Sequence, residues 1–249
     1  MPSRPALLAV LLCSASPLAG QWPPEKFTNL EVLPDSIPRD TLVQLMAGFT
    51  RALGVRCTYC HVGEEGKPLS TYDFASDEKH PKEMARRMLR MVAAINGEYL
   101  GDHRHGDQPP VRVTCATCHR GLTAPRPLQD QLLLAWQAGG IDSALTAYAA
   151  LRERYYGRAA YDFGEVALVD AANGVDRAGA TADALSLLRR NTQEHPQSAF
   201  AWRSLAEAQS KAGDQSGAIT SYERALALQP GDQRSAARLR ELREGAEAR

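Results

Sequence analysis

Apolar side chains recur at Leu42, Val43, Leu45, Met46, Phe49 and Leu53 in RDTLVQLMAGFTRAL. This is the spacing of a helix with one apolar face, and Gly54 is placed to end it. A second such pattern, HPKEMARRMLRMVAAINGEYLG, opens with Pro81, a favoured first-turn residue, and runs to about Tyr99 before Gly101. Met84, Met88 and Met91 fall on one face of it.

Past APRPLQD at 124–130 the pattern changes. Cysteine and methionine stop, and alanine, leucine and arginine dominate, a helix-favouring mixture. A 34-residue period appears: Trp202, Leu205, Gly213, Ala218, Tyr222, Ala225 and Pro230 are preceded by Leu168, Ala171, Gly179, Ala184, Leu188 and Pro196. A weaker copy, Gly139, Ala144, Tyr148 and Leu151, is displaced by an insertion around RYYGRAAYD. Two and a half helix pairs are expected, closed by the charged helix QRSAARLRELREGAEAR as a solvent-facing cap. Trp202 reads as a packing residue of the repeat.

The expected fold class is therefore all-α: a signal peptide at 1–20, a first domain at 21–130 and a helical-repeat domain at 131–249. Aromatic residues, at 6%, are too scarce for a β-rich domain. The 29 basic and 29 acidic side chains cancel, which excludes a general nucleic-acid binder. MPSRPALLAVLLCSASPLAG has an early arginine, a short apolar run and small residues at its end, the form of a secretory signal. That places the mature chain in the periplasm, with Cys13 removed rather than lipidated.

The four remaining cysteines lie in CTYCH at 57–61 and CATCH at 115–119. Four thiolates suit zinc, and CxxC pairs suit redox disulfides, but both leave His61 and His119 without a role. CxxCH as a haem-attachment unit uses every residue. Cys57, Cys60, Cys115 and Cys118 would form thioethers to two covalent haem c groups, with His61 and His119 as proximal iron ligands. A sixth ligand separates an electron carrier from an enzyme with an open iron. Met46 lies on the helix preceding the first motif and is its candidate. For the second, spacing alone does not choose among Met84, Met88 and Met91. His80, His103, His105 and His195 are the other imidazoles. Arg86, Arg87 and Arg120 lie near the motifs and read equally as propionate partners or as solvated surface charge. A haem region of about 110 residues has little apolar surface to bury, so the macrocycles are expected to form much of its core.

NLEVLP, LMAGFTRALGVRCTYCHVG, YDFASDEKHPKEMARRMLRMVAAINGEYL and VTCATCHRG together resemble the cytochrome c subunit of photosynthetic reaction centres, over about residues 26–128. The resemblance implies a helix, a turn and a CxxCH segment for each haem, with a methionine of the preceding helix on the iron. It assigns Met46 to the haem on His61 and Met88, in ARRML, to the haem on His119. Photosynthetic members hold four haems in two pairs, one with a distal histidine; this chain holds one pair, and His103 and His105 are then solvated loop residues. Residues 131–232 resemble tetratricopeptide repeats, which implies protein docking. The expected function is single-electron transfer between a protein donor and a protein acceptor, with any membrane association made through a partner. The alternatives are a haem enzyme that displaces one distal ligand to reduce peroxide or a nitrogen oxide, and a redox-sensing scaffold.

Overall fold

The computed structural model describes residues 22–24, 26–101 and 106–247. The signal-like segment, Cys13, His103 and His105 lie outside the described residues. Among those described the fold is helical, and its only extended pairing is an isolated antiparallel bridge between Val62 and Asp73. The chain divides into two compact units between Thr123 and Ala124.

In the first unit, α1 spans Arg39–Leu53 and ends where Gly54 turns left-handed, its N–H returning to the Thr50 carbonyl. A single 3-10 turn, Cys57–Tyr59, comes directly after it. Helix α2 spans His80–Ala94 with Pro81 in its first turn, and a π-helical turn, Ile95–Tyr99, continues it. Helix α3, Cys115–His119, is the second CxxCH itself. The burial here is unusual. Among the described residues of this unit, the buried apolar side chains are only Leu42, Ala52 and Leu122.

The second unit is an ordinary hydrophobic structure. Its helices are α4 (Leu128–Tyr155), α5 (Glu165–Arg177), α6 (Thr181–Glu194), α7 (Ala199–Lys211), α8 (Gln215–Leu228) and α9 (Gln233–Glu247). Pro127 caps α4, so the boundary expected after Asp130 falls inside that helix. Helix α4 is in fact two helices. Gly139 and Gly140 leave helical geometry, and Gly140 takes φ 71°, a conformation that strains any residue with a Cβ. The first repeat is thus a complete helix pair, and the unit holds three pairs and α9 rather than two and a half pairs. Small residues at the repeat positions, Ala144, Ala171, Ala184, Ala218 and Ala225, are all buried, which lets adjacent helices approach. Leu128, Leu132, Tyr148, Leu168, Val175, Leu187 and Leu205 fill the shared core. Trp202 packs against this cluster and donates its indole N–H to the Pro196 carbonyl at 3.1 Å.

Asp232 secures the last helix. Its carboxylate accepts from the Ser235 hydroxyl at 2.7 Å and pairs with Arg203 at 2.8 Å. These contacts, Ser235 first and Arg203 next, push the carboxyl down to about 2. A carboxyl lowered on folding stabilises the native state above its unfolded value of roughly 4, and that contribution is lost as pH falls towards the folded value. Asp232→Asn is therefore expected to lower the melting temperature at neutral pH by a few degrees, and by less at about pH 2 to 3, as scanning calorimetry across pH would show.

Candidate cofactor sites

The apolar side chains of the first unit face a cavity instead of one another. It has a volume of about 530 Å³, within the range of roughly 300–1,000 Å³ found for small-molecule and cofactor sites. Helix α1 contributes Leu42, Val43, Met46, Phe49 and Leu53, one continuous helical face. The facing wall comes from the N-terminal stretch through Phe27, Leu30 and Leu33, and from Phe74, Ala85 and Leu89. Cys57, Cys60, His61 and Met46 all line this same space.

Local structure explains how the first motif presents its groups. The N–H of Cys60 and the N–H of His61 both return to the Cys57 carbonyl, at 3.2 and 3.0 Å. Two thiols and an imidazole are thereby gathered on one turn. The Asp73 N–H donates to the Val62 carbonyl at 2.9 Å, which brings Phe74 alongside the histidine. The His61 and Phe74 rings meet edge-on with centroids 4.8 Å apart, and Trp22 packs against Phe74 at 4.4 Å. His61 Nδ1 is buried without a hydrogen-bond partner; the Phe74 carbonyl lies beside the ring but outside hydrogen-bond geometry to that atom. Burial foremost, then the positive charges of Lys82 and Lys79, bring the imidazole down to about 4 despite the Phe74 carbonyl. It is neutral at physiological pH, the form in which imidazole binds a metal. Burial also pushes the Cys60 thiol up, against the lowering effect of Lys79.

Two cations hold the cavity wall on α2. The Lys82 ammonium donates to the carbonyls of Phe74, Ala75 and Ser76 at 3.0, 2.9 and 2.8 Å, and pairs with Asp77 at 2.9 Å. Arg86, only 7% exposed, pairs with Glu31 and Asp77, each at 3.0 Å, and with Glu83 at 3.3 Å. Its guanidinium also donates to the Asn29 carbonyl. Asp77 is held far below the usual carboxylate range, by the Asn29 amide first and then by Lys82 and Arg86. Arg86 is thus neither a surface charge nor a free anion receptor: it staples residues 29–31 and 77 to α2. Arg87 is exposed and pairs with Glu83, and Arg120 reaches only the Thr117 carbonyl.

The second motif is built differently. The Thr114 N–H donates to Thr117 Oγ1 at 3.0 Å, which starts α3 at Cys115. His119 Nδ1 lies 2.7 Å from the Leu122 carbonyl. Donation along this contact leaves Nε2 as the free ligand atom, the tautomer a metal-bound histidine adopts. Burial raises the Cys115 thiol, whereas Cys118 is exposed. The two motifs meet through the backbone: the Gly121 N–H donates to the Ala52 carbonyl at 2.8 Å, at the end of α1.

The methionine stripe lies away from the first cavity. Lys82, Ala85, Arg86 and Leu89 of α2 line that space, and Met84, Met88 and Met91 lie on the opposite face. Met84 and Met88 are half-buried and Met91 is 44% exposed, and none joins a buried cluster. His80 is exposed at the start of α2, and His195 belongs to the second unit. Sequence reasoning passed over Phe74, Lys82 and the Leu122 carbonyl; the only local signal was the closeness of YDF and HPK to the motifs.

An apolar, cofactor-sized cavity with two thiols and a neutral imidazole on one turn is the arrangement expected of a c-type cytochrome unit, here joined to a helical-repeat unit. Residues 13–132, just under half of the chain, match the profile of the family described as photosynthetic reaction centre cytochrome C subunit. The chain is 40% identical over 80 residues to cytochrome c-554 of Chloroflexus aurantiacus, a match covering 31% of this chain and 16% of that protein. It is 36% identical over 101 residues to the photosynthetic reaction center cytochrome c subunit of Roseobacter denitrificans, covering 40% and 25% respectively. The matches thus span a quarter or less of those relatives' length. Among solved structures, the first TPR of Spaghetti (RPAP3) bound to an HSP90 peptide aligns with 48% of this chain and 90% of its own, at 19% identity and a TM-score of 0.34. The first TPR domain of human RPAP3 aligns with 49% and 91%, at 19% identity and a TM-score of 0.35.

Proposed function

We propose that the chain is an exported dihaem c-type cytochrome that passes single electrons between protein partners in the periplasm. The observation that carries this reading is the convergence of Cys57, Cys60, His61 and Met46 on one apolar cavity. Cys57 and Cys60 would hold the first haem by thioethers, with His61 and Met46 as the ligands to its iron. Cys115, Cys118 and His119 would do the same for a second haem, with Met88 supplying its methionine ligand. Bound haem supplies a one-electron couple. The polypeptide sets how easily that couple is reduced: thioether sulfur favours the reduced iron, and an apolar wall disfavours added charge.

In this reading the side chains perform no acid–base step. His61 stays neutral, Phe74 packs edge-on against it with Trp22 behind, and Lys82 and Arg86 fasten the α2 wall of the cavity. The signal-like segment 1–20 directs export. No helix among the described residues is long and apolar enough to cross a membrane, and a partner would supply any membrane contact. The repeat unit presents a surface for docking a protein.

The direct test is a pyridine haemochrome spectrum with the intact mass of exported protein. Two covalent haems are expected; a mass equal to the bare polypeptide would refute the proposal. Met46→Ala is expected to remove about half of the ferric methionine–iron charge-transfer absorption, to lower one of two reduction potentials, and to open one reduced haem to carbon monoxide. Ferric spectra and carbon monoxide titration check this.

A further inference from the structure

A single side chain joins the methionine-bearing helix to the second attachment motif. Asn96 lies in the π-helical turn that continues α2. Its Nδ2 donates to the Val113 carbonyl at 2.7 Å, and its Oδ1 accepts from the Val113 N–H at 2.7 Å. The amide thus satisfies both backbone groups of one residue, as a paired strand would. Val113 stands just ahead of Thr114, which caps α3, and Cys115 is the first residue of α3.

The chain between Asn96 and Val113 contains Tyr99, Gly101, Gly106, Pro109 and Pro110 and forms no further α-helix among its described residues. Such a stretch cannot by itself fix the position of α3. Helix α2 and α3 must nevertheless present their groups to one cofactor, because the methionines lie on α2 and the thiols and His119 lie on α3. The paired amide is a direct link between the end of α2 and the residue ahead of α3's cap. A π-helical turn is also the sort of helix irregularity that recurs at functional sites. Here it ends the helix with the amide directed across to the incoming segment.

We propose that Asn96 is a positioning residue for the second haem site: it holds the Cys115–His119 motif in register with the distal methionine helix. This rests on the reading of Cys115–His119 as a haem-attachment motif. The role is specific to this site. The first motif is joined directly to α1 through Gly54 and has its own fastening at Val62 and Asp73, so it does not depend on Asn96.

The test uses the full exported chain carrying its haems. Asn96→Leu keeps the bulk and removes both hydrogen bonds, whereas Asn96→Gln keeps the amide on a longer stem. Proteolytic mapping of haem adducts, a redox titration and the ferric methionine–iron band are recorded for each. Expected for Asn96→Leu is full haem on Cys57–Cys60 and at least a twofold loss of haem on Cys115–Cys118. In the molecules that retain it, one potential falls and about half of the methionine–iron band disappears. Asn96→Gln is expected to recover part of both losses. Asn96→Leu with wild-type haem content, potentials and band would overturn the proposal, as would equal losses at both motifs. If the wild-type chain carries haem on Cys57–Cys60 and none on Cys115–Cys118, the underlying reading fails instead.

Discussion

A chain in which Cys57, Cys60, Cys115 and Cys118 are all alanine is expected to lose ordered structure before Thr123, while residues 124–247 still unfold cooperatively. The reason lies in where each unit keeps its apolar surface. The repeat unit packs Leu132, Tyr148, Leu168, Val175 and Leu187 against one another. The first unit turns Leu42, Val43, Met46, Phe49, Leu53, Phe74 and Leu89 onto a space of about 530 Å³. An unfilled space of this kind leaves those apolar side chains against water, forfeiting roughly 25 cal/mol for each Å² that a bound macrocycle would cover. Without a covalent occupant, the segments around the cavity must collapse or separate. Hydrogen exchange on the variant resolves the two units: protection should vanish at 39–53 and 80–94 and persist from α4 onwards. Native protection in α1 and α2 of that variant would show that the first unit folds without a covalently held cofactor.

Gly54→Ala should be the most damaging single methyl addition in the first unit. Gly54 has φ +68°, and a Cβ there would stand 2.4 Å from the Gly121 carbonyl oxygen. The left-handed backbone alone costs a residue with a side chain about 1–2 kcal/mol. The approach to Gly121 adds to this, because backbone cannot rotate out of the way as a flexible side chain does. The Gly121 N–H is also bound to the Ala52 carbonyl, so relief of the contact pulls the segment after His119 away from α1. A total loss of about 3 kcal/mol or more is expected. Gly66→Ala is the control, since Gly66 has φ +84° and open space around its Cβ. Denaturant melts of the two haem-loaded variants should differ by well over 1 kcal/mol. Equal melts would show that the junction between the motifs carries no structural weight.

Local pattern made much of this protein readable. The apolar spacing of α1, its stop at Gly54 and the Pro81 start of α2 are all visible in the chain and present in the fold. Both CxxCH units form single helical turns, as their spacing requires. In the second unit the period located the buried alanines and the packing role of Trp202. It undercounted the helix pairs, because the Gly139–Gly140 break leaves only two glycines as its trace.

Arg86 shows the other side. In sequence it was one of three arginines near a motif, suited to a propionate or to solvent. Its partners Glu31 and Asp77 are brought to it only by folding of the N-terminal segment across α2. Met88 was one of three methionines on a stripe, and the resemblance to reaction-centre cytochromes chose it. The fold adds that the whole stripe lies away from the first cavity.

The amino-acid sequence determined the helical class and the chemistry of the two pentapeptides, because each depends on residues within a turn or two of one another, and the repeat period, because the same short pattern recurs along the chain. The tertiary structure alone decided that Met46 and His61 share one cavity, that Arg86 is buried, and that Asn96 pairs with Val113. Those relations join residues 15 to 57 positions apart. Chain connectivity leaves such pairs free, and packing around an apolar, cofactor-sized space fixes them.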